Sequence, residues 1–154
     1  MKIDYKLYKP TLDSLTPQQQ ILYNRDIPVE EQTNWLNAYW NDVNDFHLLK
    51  NIKDAAVMII NHCMQTSSKI TILQDADADG LTSSAIIANY IHRICSKEPT
   101  ILIHEGKAHG LADIDLDKII ETTSLLILPD SSSNDYEQHK YLHDNGVDIV
   151  ILDH

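Results

Sequence analysis

From Lys69 onward the chain alternates short, almost wholly apolar runs with longer stretches in which apolar residues recur every three or four positions. The runs are Ile70-Thr71-Ile72-Leu73, Thr100-Ile101-Leu102-Ile103, Leu125-Leu126-Ile127-Leu128 and Asp148-Ile149-Val150-Ile151-Leu152. Each has strand length and is rich in β-branched residues or leucine. Such nearly continuous apolarity predicts strands covered on both faces. The periodic stretches, Thr82 to Cys95, Asp115 to Thr122 and Asp135 to Asn145, predict helices between them. Strand and helix in alternation imply an α/β fold: a parallel sheet of at least four strands with flanking helices and right-handed crossovers.

The region before this, residues 1–68, contains no strand-like run and reads as a helical lead-in to an α/β domain over 69–154. Thr16-Pro17-Gln18-Gln19 offers an N-cap, a proline at the first helical position and a glutamine at the third, so a helix through Ile21 and Leu22 is predicted. Pro28 opens a second segment carrying Trp35, Leu36 and Tyr39, and Ile52 through Met64 has helical spacing. Trp35 and Trp40 read as packing anchors, because aromatic residues on an amphipathic helix usually face a core.

Composition adds limits. A length of 154 residues with 43% hydrophobic content suits one domain with an appendage. The net charge of -11 repels phosphate backbones, so contact with nucleic acid would need bound cations, local basic residues or other parts of a protein. Most of the 23 Asp and Glu residues read as solvated surface. Cys63 and Cys95 lie within helical patterns without metal or disulfide spacing, which predicts reduced core thiols and a cytoplasmic protein. No signal sequence or bilayer-spanning run is evident, so no membrane role is expected.

In an open parallel sheet, ligands bind beyond the carboxyl ends of the strands. The residues following the apolar runs are polar each time: Asp75-Ala76-Asp77-Ala78-Asp79-Gly80, His104-Glu105, Pro129-Asp130-Ser131 and Asp153-His154. One such Asp is ordinary for a turn or cap; three strand ends offering Asp are less so. Three aspartates within five residues repel one another unless a cation sits among them. Carboxylates with imidazole suit Mn²⁺ or Mg²⁺, and two such ions about 3.5–4 Å apart would activate water and neutralise a phosphoryl transition state. Asp130, alone on its strand, is placed to bridge. Gly80 is expected to allow a tight turn, after which Thr82 and Ser83 would open a helix whose N–H groups and hydroxyls could receive phosphate.

Other motifs compete for the same residues. An EF-hand loop would need a Glu where Ile86 stands. A haloacid-dehalogenase-like phosphatase would need DxDGT, and Leu81 interrupts Asp77-Ala78-Asp79-Gly80-Leu81-Thr82. His139 and His143 are four apart on a predicted helix and read as a solvent-exposed pair rather than a metal site.

Taken in order, Asp75-Ala76-Asp77-Ala78-Asp79-Gly80-Leu81-Thr82-Ser83, Leu128-Pro129-Asp130-Ser131-Ser132 and Asp153-His154 resemble the motifs of the DHH phosphoesterase family, in particular its RecJ-type single-strand-specific exonucleases. Ile21-Leu22-Tyr23-Asn24-Arg25 and Gly106-Lys107-Ala108-His109-Gly110-Leu111 are similar to further segments of that group. The resemblance implies two Mn²⁺ or Mg²⁺ ions held by Asp75, Asp77, Asp79, Asp130 and His154, with Asp77, Asp130 and His154 in catalysis. It implies Asp153 behind a metal ligand, and Lys107 and His109 near substrate phosphate, where a plain solvent-facing loop is an equal expectation. A metal-activated water would attack the phosphodiester in line.

The chain ends at His154, so a second His, a later Asp ligand and the family's downstream substrate-gripping domain lie outside it; Leu73 stands where some relatives carry a His. The expectation is a fragment, nearly inactive alone, of a 5′-to-3′ exonuclease whose partner is single-stranded nucleic acid, bound through metal and the missing domain. A phosphodiesterase for short oligonucleotides or cyclic dinucleotides and a non-catalytic binding module stand beside it. Oligomeric state is not legible.

Overall fold

In a computed structural model, residues 9–37, 39, 43–103 and 110–153 are described. The chain forms two compact units, Met1–Lys50 and Asn51–His154. In the first, α1 (Pro17–Asn24) begins as its sequence predicts. Thr16 Oγ1 accepts from the Gln19 N–H at 3.3 Å, and Gln19 Oε1 accepts from the Thr16 N–H at 3.0 Å. This reciprocal pair satisfies two backbone donors that a helix start leaves open. Pro28 stands at the N-cap of α2 (Val29–Leu36). Trp35 is 60% exposed, so its expected role as a packing anchor is corrected: the helix spans two turns and offers no continuous apolar stripe. Trp40 lies outside the described residues.

The second unit contains α3 (Ile52–Met64), β1 (Ile70–Gln74), α4 (Ala78–Cys95), β2 (Thr100–Ile103), α5 (Leu116–Thr122), β3 (Leu125–Pro129), α6 (Tyr136–Asp144) and β4 (Asp148–Leu152). All strand pairs are parallel and the order is β2-β1-β3-β4. The expected four-stranded parallel α/β sheet is present. Alternating side chains feed two cores. Ile70, Ile72, Leu125, Ile127 and Val150 meet Cys63 and Ile91, with Ala55, Met58 and Ile59 of α3 and Ile87 and Ala88 of α4 packed against them. Leu73, Leu126 and Leu128 meet Leu111, Ile119, Leu142 and Val147 on the side of α5 and α6. The helix before β1 thus lies in the same unit as the sheet it covers.

Coverage is uneven. β1 and β3 are buried almost throughout, whereas Ile101 and Ile103 of β2 are 38% and 62% exposed. The prediction that every strand is covered on both faces therefore fails for both edge strands, β2 and β4, where Ile151 and Leu152 are also exposed, because an edge strand has one neighbour and fewer overlying side chains. α3 is tied to the sheet by His62, whose Nδ1 lies 2.6 Å from Ser68 Oγ and whose Nε2 lies 2.9 Å from Asp148 Oδ2. Cys63 and Cys95 are free; burial, then a hydrogen bond with Cys95, pushes the Cys63 thiol up to about 11. Among the described residues, no helix is long and apolar enough to cross a membrane.

Candidate active site at the carboxyl edge of the sheet

β1 is followed in sequence by β2 on one side of it and, later, by β3 on the other, so the chain reverses direction across the sheet between β1 and β3. At such a switch point the loops leaving the two strands diverge and open a crevice at their carboxyl ends. Asp75 is the first residue after β1, Asp130 the first after β3 and Asp153 the first after β4. β1 and β3 pair in parallel as far as Ile72↔Ile127, so Asp75 and Asp130 leave the sheet at the carboxyl ends of adjacent strands. The register Pro129↔Leu152 sets Asp130 opposite Asp153, and the Asp130 N–H donates to the Leu152 carbonyl at 2.9 Å. Each of three neighbouring strands thus ends in an aspartate at the same edge of the sheet.

Asp75 is 3% exposed, and its Oδ1 accepts from the Ala76 N–H at 2.8 Å. Asp77 caps α4: its Oδ1 accepts from the N–H groups of Asp79 at 3.2 Å and Gly80 at 2.9 Å. Asp79 lies in the first turn, where a negative charge faces the positive end of the helix dipole. The helix therefore starts at Ala78 rather than at Thr82, with Asp77 as its cap. Gly80 accordingly makes no free-standing turn. A Cβ there would sit 2.7 Å from Asp75 Cβ, 2.8 Å from its carbonyl oxygen and 2.9 Å from its Cα, so the missing side chain lets the helix close onto the end of β1. Thr82 Oγ1 donates to the Ala78 carbonyl at 2.8 Å and Ser83 Oγ to the Asp79 carbonyl at 2.7 Å. Both hydroxyl hydrogens are used within the helix.

After β3, Asp130 and Ser132 have φ of 63° and 80°, a left-handed backbone that L side chains rarely adopt. Asp153 Oδ2 accepts from the Ser133 N–H at 3.1 Å. Residues 130–135 and Asp153 line a cavity of about 280 Å³. Ser131 is buried, and its Oγ has no hydrogen-bond partner. Ser132 Oγ donates to Asp135 Oδ2 at 2.6 Å and lies 3.2 Å from His139 Nε2. His139 is half-buried and His143 exposed, so the expected solvent-exposed pair is corrected: residue 139 turns toward the loop and residue 143 toward solvent. Loss of water around its ring is the larger effect on His139 and holds its pKa below the usual imidazole value, against the opposing pull of Asp135.

The structure brings Asp130 and Asp153 together, puts Asp75 at the carboxyl end of the neighbouring β1, and sets Asp77 and Asp79 at the start of the adjoining helix. His104, Lys107, His109 and His154 lie outside the described residues. Among the described residues, no three His, Cys, Asp or Glu side chains gather as a ready-made metal cage. The donors fit a hard divalent cation in kind, being carboxylate oxygens, one of them on a nearly inaccessible side chain. The contact between Ser132 and Asp135 was not foreseen: Ser132 entered only as the last residue of the motif after β3 and Asp135 only as the start of a predicted helix.

The profile of the DHH family, N-terminal domain, matches residues 69–154. The chain is 35% identical over 153 residues to an SPbeta prophage-derived protein of Bacillus subtilis (strain 168), provisionally named single-strand DNA-specific exonuclease YorK; the match covers 99% of this chain and 26% of the relative. A counterpart in Bacillus phage SPbeta, with the same provisional name, matches to the same extent. The single-stranded-DNA-specific exonuclease RecJ of Thermus thermophilus is 23% identical over 107 residues, 69% of this chain and 16% of that protein. The chain thus spans about a quarter, or less, of the length of these relatives. No solved structure matches it significantly.

Proposed function

The chain belongs to the DHH family, and from that premise we propose that it forms the metal-binding part of a nuclease that hydrolyses single-stranded DNA from the 5′ end. The observation that carries the proposal is the presence of Asp75, Asp130 and Asp153 at the carboxyl ends of three neighbouring strands, in a family whose members resembling this chain are named as exonucleases. Asp75, Asp77, Asp79, Asp130 and His154 would hold the cations, which we take to be Mn²⁺ or Mg²⁺. When bound, these ions polarise a phosphodiester and make a water more acidic at neutral pH.

The chain's own residues set the geometry. Asp75 and Asp130 would face each other across the crevice, with Asp130 aimed by its left-handed backbone. Asp77 would offer the oxygen not used in capping α4. Asp153, holding the Ser133 N–H, would keep the Asp130 loop against β4. Ser131 would supply a buried hydroxyl to a phosphoryl oxygen. Thr82 and Ser83, together with Lys107 and His109, remain candidates for contacting the strand's phosphates, the first two only by giving up bonds within α4. The free thiols fit a reducing compartment, and we place the protein in the cytoplasm.

The test is cleavage of end-labelled single-stranded DNA with Mn²⁺, by the 154-residue chain and by the chain extended to the length of its relatives. Asp130→Ala should cut the rate at least about 100-fold, since groups merely supporting metal ligands carry 10–100-fold effects. Folded protein that takes up neither Mn²⁺ nor Mg²⁺ in either form would refute the proposal. Hydrolysis confined to short oligonucleotides or cyclic dinucleotides would replace its substrate.

A further inference from the structure

Asp135 occupies the N-cap position of α6 and makes no side-chain hydrogen bond to that helix. An aspartate there ordinarily accepts from the first free amides of its own helix. This one points elsewhere. Its Oδ2 accepts from the Leu111 N–H at 2.7 Å and from the Ser132 hydroxyl at 2.6 Å. The two partners come from different parts of the chain. Leu111 is buried in the core beside α5 and α6, two residues after His109 in sequence, and Ser132 lies two residues after Asp130.

Two further features are built around that one oxygen. A Cβ on Gly110 would lie 2.2 Å from Asp135 Oδ2, and Gly110 has φ of 76°; only glycine lets the carboxylate reach the Leu111 amide. Ser132 is held at φ of 80°, a conformation that persists in a non-glycine residue only where its surroundings impose it. The bond to Asp135 is such an imposition, and His139 Nε2 lies 3.2 Å from the same hydroxyl. The loop bearing Asp130 is thereby pinned at Ser132 to Asp135 and at Ser133 to Asp153.

We propose that Asp135 is a positioning residue for the candidate metal centre: its Oδ2 latches the Asp130 loop to the backbone at Leu111 and so fixes the Asp130 carboxylate. This rests on the metal-centre proposal above. A residue behind a ligand is expected to alter metal affinity by 10–100-fold without touching the ion.

The experiment is calorimetric titration of Mn²⁺ into the 154-residue chain, well below its melting transition, with amide exchange at Leu111 and circular dichroism followed in parallel. Asp135→Asn and Asp135→Ala should speed exchange at Leu111 and weaken Mn²⁺ binding about 10-fold or more. Gly110→Ala leaves every carboxylate in place and crowds Oδ2, and should shift both readings in the same direction. Should the Asp135 variants fail to fold, Ser132→Ala removes only one of the two contacts, and a smaller loss of affinity is expected from it. A folded variant with faster Leu111 exchange and unchanged Mn²⁺ affinity would reduce Asp135 to a purely structural residue and overturn the proposal alone. A native chain that binds no Mn²⁺ either alone or extended to the length of its relatives would overturn the metal-centre proposal and this one together.

Discussion

At the scale of single residues, His139 makes the pH dependence of the fold specific. Its half-buried ring loses water, which disfavours the charged form; Asp135 offsets this only partly, and the folded pKa lies below the ordinary value of 6.5. The unfolded chain therefore takes up a proton at this residue more readily than the folded one. The stability contributed by neutral His139 is complete above the ordinary value and is lost as pH falls from there toward the lowered folded value. We expect His139→Gln to lose less of its urea midpoint than the native chain between about pH 8 and about pH 5. Equal losses would show that the ring is not the titrating group. His139 was legible only as one of two histidines four apart, because its partner Ser132 comes from a loop whose left-handed backbone leaves no mark on the sequence. The aspartates were legible for the opposite reason: Asp75, Asp130 and Asp153 each follow an apolar run, and strand ends converge in a parallel sheet whatever the loops do. Contacts between distant segments, such as His62 with Asp148 or Leu111 with Asp135, could not be read from local pattern.

At the scale of elements, all four strands stand within a residue of their apolar runs, because β-branched and leucine-rich stretches of that length have few other ways to be buried. α4 was the element misread at its start. Asp77 to Gly80 looks like a loop, since glycine disfavours a helix interior by about 1 kcal/mol relative to alanine. The helix begins there nonetheless, with Asp77 capping it and Gly80 pressed against the backbone of Asp75. Gly80→Ala sets two effects against each other. Propensity would gain up to about 1 kcal/mol. Overpacking costs about 1–3 kcal/mol, and here the new methyl would meet strand backbone that cannot swing aside. The net expectation is destabilisation by about 1–2 kcal/mol, read as a lower urea midpoint, together with displacement of Asp75. A Gly80→Ala chain more stable than the native one would mean that α4 can slide off the end of β1 without loss.

At the scale of the whole molecule, the fold brings carboxylates to the edge where a polyanion would have to be received, in a chain of net charge -11. Proteins that hold DNA through lysine and arginine release counterions on binding and lose about 10³–10⁵ in affinity between roughly 50 and 200 mM salt when they make 6–10 phosphate contacts. An acidic chain without divalent ions has the reverse problem: its field repels the strand, and added monovalent salt only screens that repulsion. Two consequences can be separated by fluorescence anisotropy with a labelled oligothymidine. With a chelator present, the 154-residue chain should show no binding at low salt, and more salt should cause none of the steep loss typical of a basic groove. With Mn²⁺ present, binding should appear, and Asp130→Ala should remove it, because attraction would then come from cations held at one place rather than from the surface at large. Chelator-insensitive binding that weakens steeply with salt would locate a basic surface elsewhere in the chain, and the carboxylates at the sheet edge would no longer explain how an acidic protein approaches DNA.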